Sequence, residues 1–320
     1  MADENPPDLG RFSGTGPAPL DRARKHVHDH GPNDDSRGNA GTMEAFEPVE
    51  ELTGDLSRGV IVICDHASGA LPGAYGSLGL AESEFHRHIA YDIGAAALAR
   101  DIASRLAAPA VLCRFSRLLI DPNRGEDDPT LIMRLSDGSV VPGNARLDND
   151  ERANRISRYY RPYHDAIARM IDKALAAGTV PAILSVHSFT AHWRGYARPW
   201  HAGILWDRDP RLAVPLIDAL RREPDLVIGD NEPYSGQLKG DCLYRHGTRR
   251  GLAHALVEVR QDLLGSEAGI SEWAERLAAR VGEIAGTDPL RRIADYGSHS
   301  DGAGTRRQAG GRASDKDGET

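Results

Sequence analysis

The chain has 320 residues, a formal net charge of −8, 40% apolar and 27% charged residues, the balance of an ordinary folded protein. That length allows one sizeable core or two smaller ones, and the negative charge argues against non-specific binding to nucleic acid or acidic membranes. Three cysteines without a CxxC pair (Cys64, Cys113, Cys242), no apolar run of membrane-spanning length and no basic-then-apolar start lead us to expect a reducing, cytoplasmic setting.

Residues 1–46 are rich in Gly, Pro, Asp, Asn and charge, and cannot bury enough apolar surface to offset the entropy of ordering them. They are expected to form a disordered tail, with His26, His28 and His30 part of a solvated linker. Gly59 to Cys64 is a short, β-branched, continuously apolar run, typical of a strand covered on both faces. Helical spacing follows over 93–106, and residues 110–115 return to a strand pattern. A long helix is expected from about Glu151 through Ala177, with Tyr160, His164, Ile167 and Ile171 on one stripe and Pro162 kinking or dividing it.

Strands are then expected at 182–186 and 202–206, a helix at 211–222, short strands at 226–228 and 253–259, and a last helix at 271–285. The stretch 298–320 reads as a second disordered tail. This alternation predicts a three-layer α/β/α domain with a central mixed sheet over residues 47–297.

Functional residues of open α/β sheets gather beyond the strand ends. His66 and His187 each follow an apolar strand, and imidazole is the commonest zinc ligand. A His capping a turn is the plain alternative for each. After the strand at 110–115 come Arg117, Asn123 and Arg124. Guanidinium groups suit bidentate carboxylate recognition and the stabilisation of an oxyanion, although pairing with Glu126, Asp127 and Asp128 is also open. Glu258 interrupts an apolar strand, where a carboxylate is costly unless paired, metal-bound or protonated. In a zinc hydrolase it would be the general base; a pair with Arg260 or Arg249 is the alternative. A catalytic zinc needs a third protein ligand. Asp92 is the candidate, in competition with a helix N-cap role, and it ranks above His86 and His88.

Five motifs in order, DHASGALP (65–72), HIAYDIG (88–94), FSRLLIDPNR (115–124), SVHSF (185–189) and HGTRRGLAHALVEVRQDL (246–263), resemble the N-formylglutamate amidohydrolase family. That family looks related to the zinc carboxypeptidase and aspartoacylase group, so the resemblance implies a zinc-exopeptidase-like α/β/α fold. It implies hydrolysis of a small N-acyl amino acid, N-formyl-L-glutamate giving L-glutamate and formate, as in histidine catabolism. His66 and His187 match the zinc positions and Arg117 the arginine that polarises the scissile carbonyl. Asn123 and Arg124 match the pair that holds the substrate carboxylate, and Glu258 the general base. The related group takes a second ligand from His-x-x-Glu, but Gly69 stands at that spacing here, so Asp92 is proposed instead, with Glu82 and Glu84 as fallbacks. His246 and Arg249 are expected to bind the far end of a dicarboxylic substrate, and Tyr234 and Ser235 to line the same pocket. A different N-acyl amino acid or small peptide, or a binding protein without catalysis, are the alternatives. No nucleic-acid or membrane partner is expected.

Overall fold

The computed structural model describes residues 46–301. The two expected tails, with His26, His28 and His30, lie almost wholly outside those residues. Where the ends are described, Phe46 packs edge-on against Tyr159 and Ser298 is buried, so the body reaches slightly past the expected limits.

Seven strands form one sheet: β1 (Val49–Leu52), β2 (Val60–Cys64), β3 (Ala110–Cys113), β4 (Ala182–Phe189), β5 (Ala202–Leu205), β6 (Ile228–Asp230) and β7 (His254–Arg260). Their spatial order is β1-β3-β2-β4-β7-β5-β6. Strands β3, β2, β4 and β7 run parallel, while β1 is antiparallel to β3 and β5 antiparallel to β7. The sheet is therefore mixed, as the sequence pattern predicts. Strand β1 had no prediction: its sequence VEEL carries two glutamates and only half-buries, as an edge strand does.

Besides a single turn at Pro142–Ala145, the helices among the described residues are α1 (Ala95–Leu106), α2 (Asn149–Arg155), α3 (Arg161–Ala176), α4 (Pro210–Arg221), α5 (Cys242–His246) and α6 (Glu267–Ala285). Alternate residues of β2 enter opposite cores. Val60, Val62 and Cys64 pack with α1, α4 and α6 on one face, and Ile61 and Ile63 pack with α3 on the other. Three layers result.

Pro162 divides the expected long helix. It sits in the first turn of α3, directly after a π-helical turn, Ile156–Tyr160. Proline has no N–H to donate and its ring crowds the carbonyl one turn back. The wider turn absorbs this, with the Arg161 N–H reaching the Ile156 carbonyl, and Tyr160, Tyr163, Ile167 and Ile171 stay against the sheet.

Strand β4 runs three residues beyond its expected end because its pairing with β7 continues to Phe189, past the last β2 pair at Ser185. His187 thus lies inside the strand rather than after it, directly beside Glu258 in the β4–β7 register. No helix among the described residues is long and apolar enough to cross a membrane.

Candidate active site

The parallel strands deliver their chemistry to one edge of the sheet. His66 follows β2, His187 lies near the end of β4, and Asp92 arrives on the segment leading into α1. The Asp92 N–H donates to the His66 carbonyl at 2.9 Å, and the Ser116 hydroxyl and Arg117 N–H both bind the Ala90 carbonyl. These bonds tie the 88–94 segment to the exits of β2 and β3. Asp92 is not a helix cap, because Gly94 fills that position with φ 81°. A side chain at Gly69 would press on the Tyr91 ring at 3.0 Å, so a residue larger than glycine at that spacing requires the ring to shift.

His66, Asp92 and His187 are all buried and offer ligand atoms within 4.8 Å of one another. The Asp92 Oδ2 lies 3.4 Å from His66 Nδ1 and 2.9 Å from His187 Nδ1. Each imidazole turns its other nitrogen to a second buried carboxylate: His66 Nε2 to Asp121 at 2.7 Å, His187 Nε2 to Asp65 at 2.9 Å. With those Nε2–H groups donating, both Nδ1 lone pairs face the Asp92 oxygen. Such an arrangement repels unless a proton or cation sits between, and buried His66 Nδ1 has no hydrogen-bond partner. Carboxylate–imidazole pairs of this kind orient metal ligands and raise their basicity. The donor set fits a metal ion.

The charges agree. Burial works to raise Asp65, Asp92 and Asp121, yet all three are held below the ordinary carboxylate range. His187 opposes burial at Asp65, His66 and His187 do so at Asp92, and Arg117 and His66 at Asp121. Three carboxylates outnumber the single guanidinium of Arg117, and against burial Asp65 and Asp92 hold His187 well above its ordinary value, so the centre draws positive charge that a bound cation would supply in place of the proton. Asp65 is further fixed by the Tyr163 hydroxyl at 2.9 Å and the Ser185 hydroxyl at 3.0 Å. Asp65 and Asp121 had no assigned part in the sequence reading. Both sit inside quoted motifs, but only the fold shows which imidazole each one meets.

Glu258 lines the same cavity, of about 260 Å³, and one of its carboxylate oxygens has no partner. Burial pushes it up to about 7 against the attraction of His187, with the Asp92 charge adding to the rise. A carboxylate at that value exchanges protons near neutrality, as a general base must. The alternative pairings are not made: Arg260 binds Asp262, and Arg249 is exposed on the turn after α5.

Arg117, Asn123 and Arg124 all line the cavity. Arg117 holds Asp121 at 2.7 Å and lies 3.6 Å from Asp92, so it braces the carboxylates as well as facing the cavity. The Asn123 side-chain oxygen accepts from the Cys242 N–H at 3.1 Å, and Arg124 donates to the Asn123 carbonyl at 2.8 Å. Tyr234 and Ser235 line the cavity, and so does His88, which ranked below Asp92 as a candidate ligand.

His246 and Arg249 do not line the cavity, contrary to expectation. The short helix α5, unforeseen in the sequence, turns His246 inward, where its Nε2 lies 2.9 Å from His164 Nδ1. His164, Cys242 and His246 form a second buried group whose ligand atoms lie within 4.8 Å of one another. Glu82 and Glu84 are also outside the cavity; Glu84 pairs with Arg87 at 2.6 Å.

A histidine–carboxylate centre at the C-terminal edge of an α/β/α sheet, with a buried carboxylate beside it, has the chemistry a hydrolase site needs. The sequence profile described as N-formylglutamate amidohydrolase matches residues 58–264. A gene product of Agrobacterium tumefaciens is similar at 32% identity, with a TM-score of 0.70 over 75% of this chain and 95% of that one. An N-formylglutamate amidohydrolase from Ralstonia eutropha JMP134 has the same fold at 22% identity, with a TM-score of 0.54 over 77% of this chain and 98% of that one. A comparison with curated proteins found no match. The chain belongs to the N-formylglutamate amidohydrolase family and is an amidohydrolase.

Proposed function

We propose that this protein is a zinc-dependent hydrolase of N-acyl amino acids, with N-formyl-L-glutamate as the first candidate substrate. The observation that supports it most is the pair of buried imidazoles, each backed by a carboxylate and both presenting Nδ1 to Asp92.

His66, Asp92 and His187 would hold the ion, and when bound it supplies Lewis acidity to a water and to the scissile carbonyl. The remaining work belongs to the chain. Glu258 accepts a proton from the attacking water, and its raised affinity lets it return that proton to the departing nitrogen. Arg117, fixed against Asp121, presents positive charge where the carbonyl oxygen gains negative charge. Arg124 and Asn123 hold the α-carboxylate, which sets the amide against the base.

A panel of N-formyl, N-acetyl and N-succinyl amino acids, followed by release of the free amine, tests this reading. Turnover of N-formyl-L-glutamate is the expected result. Turnover of another N-acyl amino acid alone would move the substrate and keep the chemistry. No release from any member would favour a binding protein that retains the fold.

A further inference from the structure

Arg198 is a buried guanidinium without a carboxylate partner. Among the described residues the two other buried arginines each hold an acid, Arg155 with Glu151 at 2.8 Å and Arg211 with Asp209 at 2.6 Å. Arg198 is 8% exposed, and its hydrogen bonds go to the Thr190 carbonyl and hydroxyl, both at 3.3 Å, and to the Tyr234 hydroxyl at 3.1 Å. The rings of Phe189, Trp193 and Tyr234 surround it, with centroids 5.6, 5.4 and 5.1 Å from the guanidinium carbon. Cation–π contacts offset part of the cost of burying the charge, but leave it uncompensated by any anion.

Its neighbours show what such a charge is placed to do. Phe189, Thr190 and Tyr234 all line the cavity that holds His66, His187 and Glu258. The Thr190 and Tyr234 hydroxyls each accept a hydrogen bond from Arg198. A hydroxyl that accepts from one side keeps its own hydrogen free to donate elsewhere, and both residues line the cavity. Two O–H donors backed by a fixed positive charge make a receptor for an anion.

The position along the sheet is complementary to Arg124. Arg124 stands beyond β3, Tyr234 beyond β6, and the strands carrying His187 and Glu258 lie between them. One carboxylate held by Arg124 therefore leaves the opposite wall for a second. Exposed Arg249 and inward-facing His246 do not reach that wall.

We propose that Arg198, acting through Tyr234 and Thr190, forms the subsite for the side-chain carboxylate of an N-acyl dicarboxylic amino acid. This rests on the N-acyl amino acid reading above and names the substrate class it selects. Arg198 is here a positioning residue, since it works through two hydroxyls rather than on the scissile bond.

The test compares N-formyl-L-glutamate with N-formyl-L-glutamine, which has the same shape and no side-chain charge. The wild-type protein should prefer the glutamate form in kcat/KM by at least about 30-fold, the lower end for a charge left unpaired. Arg198→Gln should abolish that preference through KM for the glutamate form, with little change for the glutamine form. Arg198→Lys should restore part of it, and Tyr234→Phe, which keeps the ring, should reduce it. Equal losses on both substrates in Arg198→Gln and Tyr234→Phe, or no preference in the wild type, would overturn the subsite. Calorimetric binding of L-glutamate against L-glutamine reads the same preference without turnover. A protein that hydrolyses neither substrate yet binds glutamate selectively would therefore sink the catalytic reading and keep the subsite.

Discussion

At the scale of single residues, Glu258 and the carboxylates behind the histidines do different work, and substitution separates them. Glu258→Gln keeps the shape and removes the proposed base. Its kcat should fall by roughly 10²–10⁴-fold while metal content stays at the wild-type level, as measured by steady-state kinetics and elemental analysis. Asp65→Asn should do the reverse, weakening metal affinity by about 10–100-fold because His187 loses the acceptor that orients it. The base must be ionised to accept a proton. With Glu258 raised to about 7, kcat/KM should decline as pH falls through an apparent pKa at or below that value, since a bound cation favours the ionised form. An acid limb well above 7 would assign the base elsewhere. His66, His187 and Glu258 were legible in the sequence because each is a polar residue inside an apolar run or directly after one. Asp65 and Asp121 were not, since a carboxylate in a loop looks the same whether it meets solvent or an imidazole. Arg198 was missed for a similar reason: in Tyr196-Ala-Arg-Pro nothing local distinguishes a solvated arginine from one enclosed by Phe189, Trp193 and Tyr234.

At the scale of elements, the apolar runs of β2, β4, β5 and β7 located the core of the sheet, because strands buried on both faces leave a continuous signal. Edge strand β1 and helix α5 leave little: one is four residues with two glutamates, the other five residues held by an Asp241 cap. The price of missing α5 was the misplacement of His246. The α3–α5 contact itself makes a prediction. Burial, then the neighbouring charges, hold His164 well below its usual 6.5 and bring His246 to about 3. Both are neutral when folded, whereas the unfolded chain binds protons there below about pH 6.5, so the unfolded state holds more protons in that window. Their contribution to stability is therefore complete above about 6.5 and is lost as pH falls towards 3. The urea midpoint should drop over that range, and His246→Leu should flatten the slope; an unchanged slope would show that the pair is not responsible. Strand β5 carries a second constraint. A methyl group on Gly203 would stand 1.8 Å from the Glu232 carbonyl oxygen, in the loop that bears Tyr234. Gly203→Ala should cost about 1–3 kcal/mol by thermal unfolding, the usual range for overpacking, and should raise KM as that loop shifts.

At the scale of the whole molecule, the fold collects charge that would be unstable anywhere else. Four strand ends and the segment before α1 bring Asp65, Asp92, Asp121, Glu258, Arg117 and two histidines into one buried region. The α/β/α class followed from the alternation of apolar runs and helical stripes, but the convergence of these groups depends on strand order, and β2 lies beside β4 only through pairings across more than a hundred residues. The excess of buried carboxylates over guanidinium at that centre is the reason a cation is expected there. Metal content and amide hydrolysis measured on one preparation, before chelation, after it and during titration with zinc, test this most directly. Activity should disappear with the chelator and return in proportion to zinc up to one ion per chain, with His66→Ala and His187→Ala failing to recover. Full activity in the metal-free protein would contradict it.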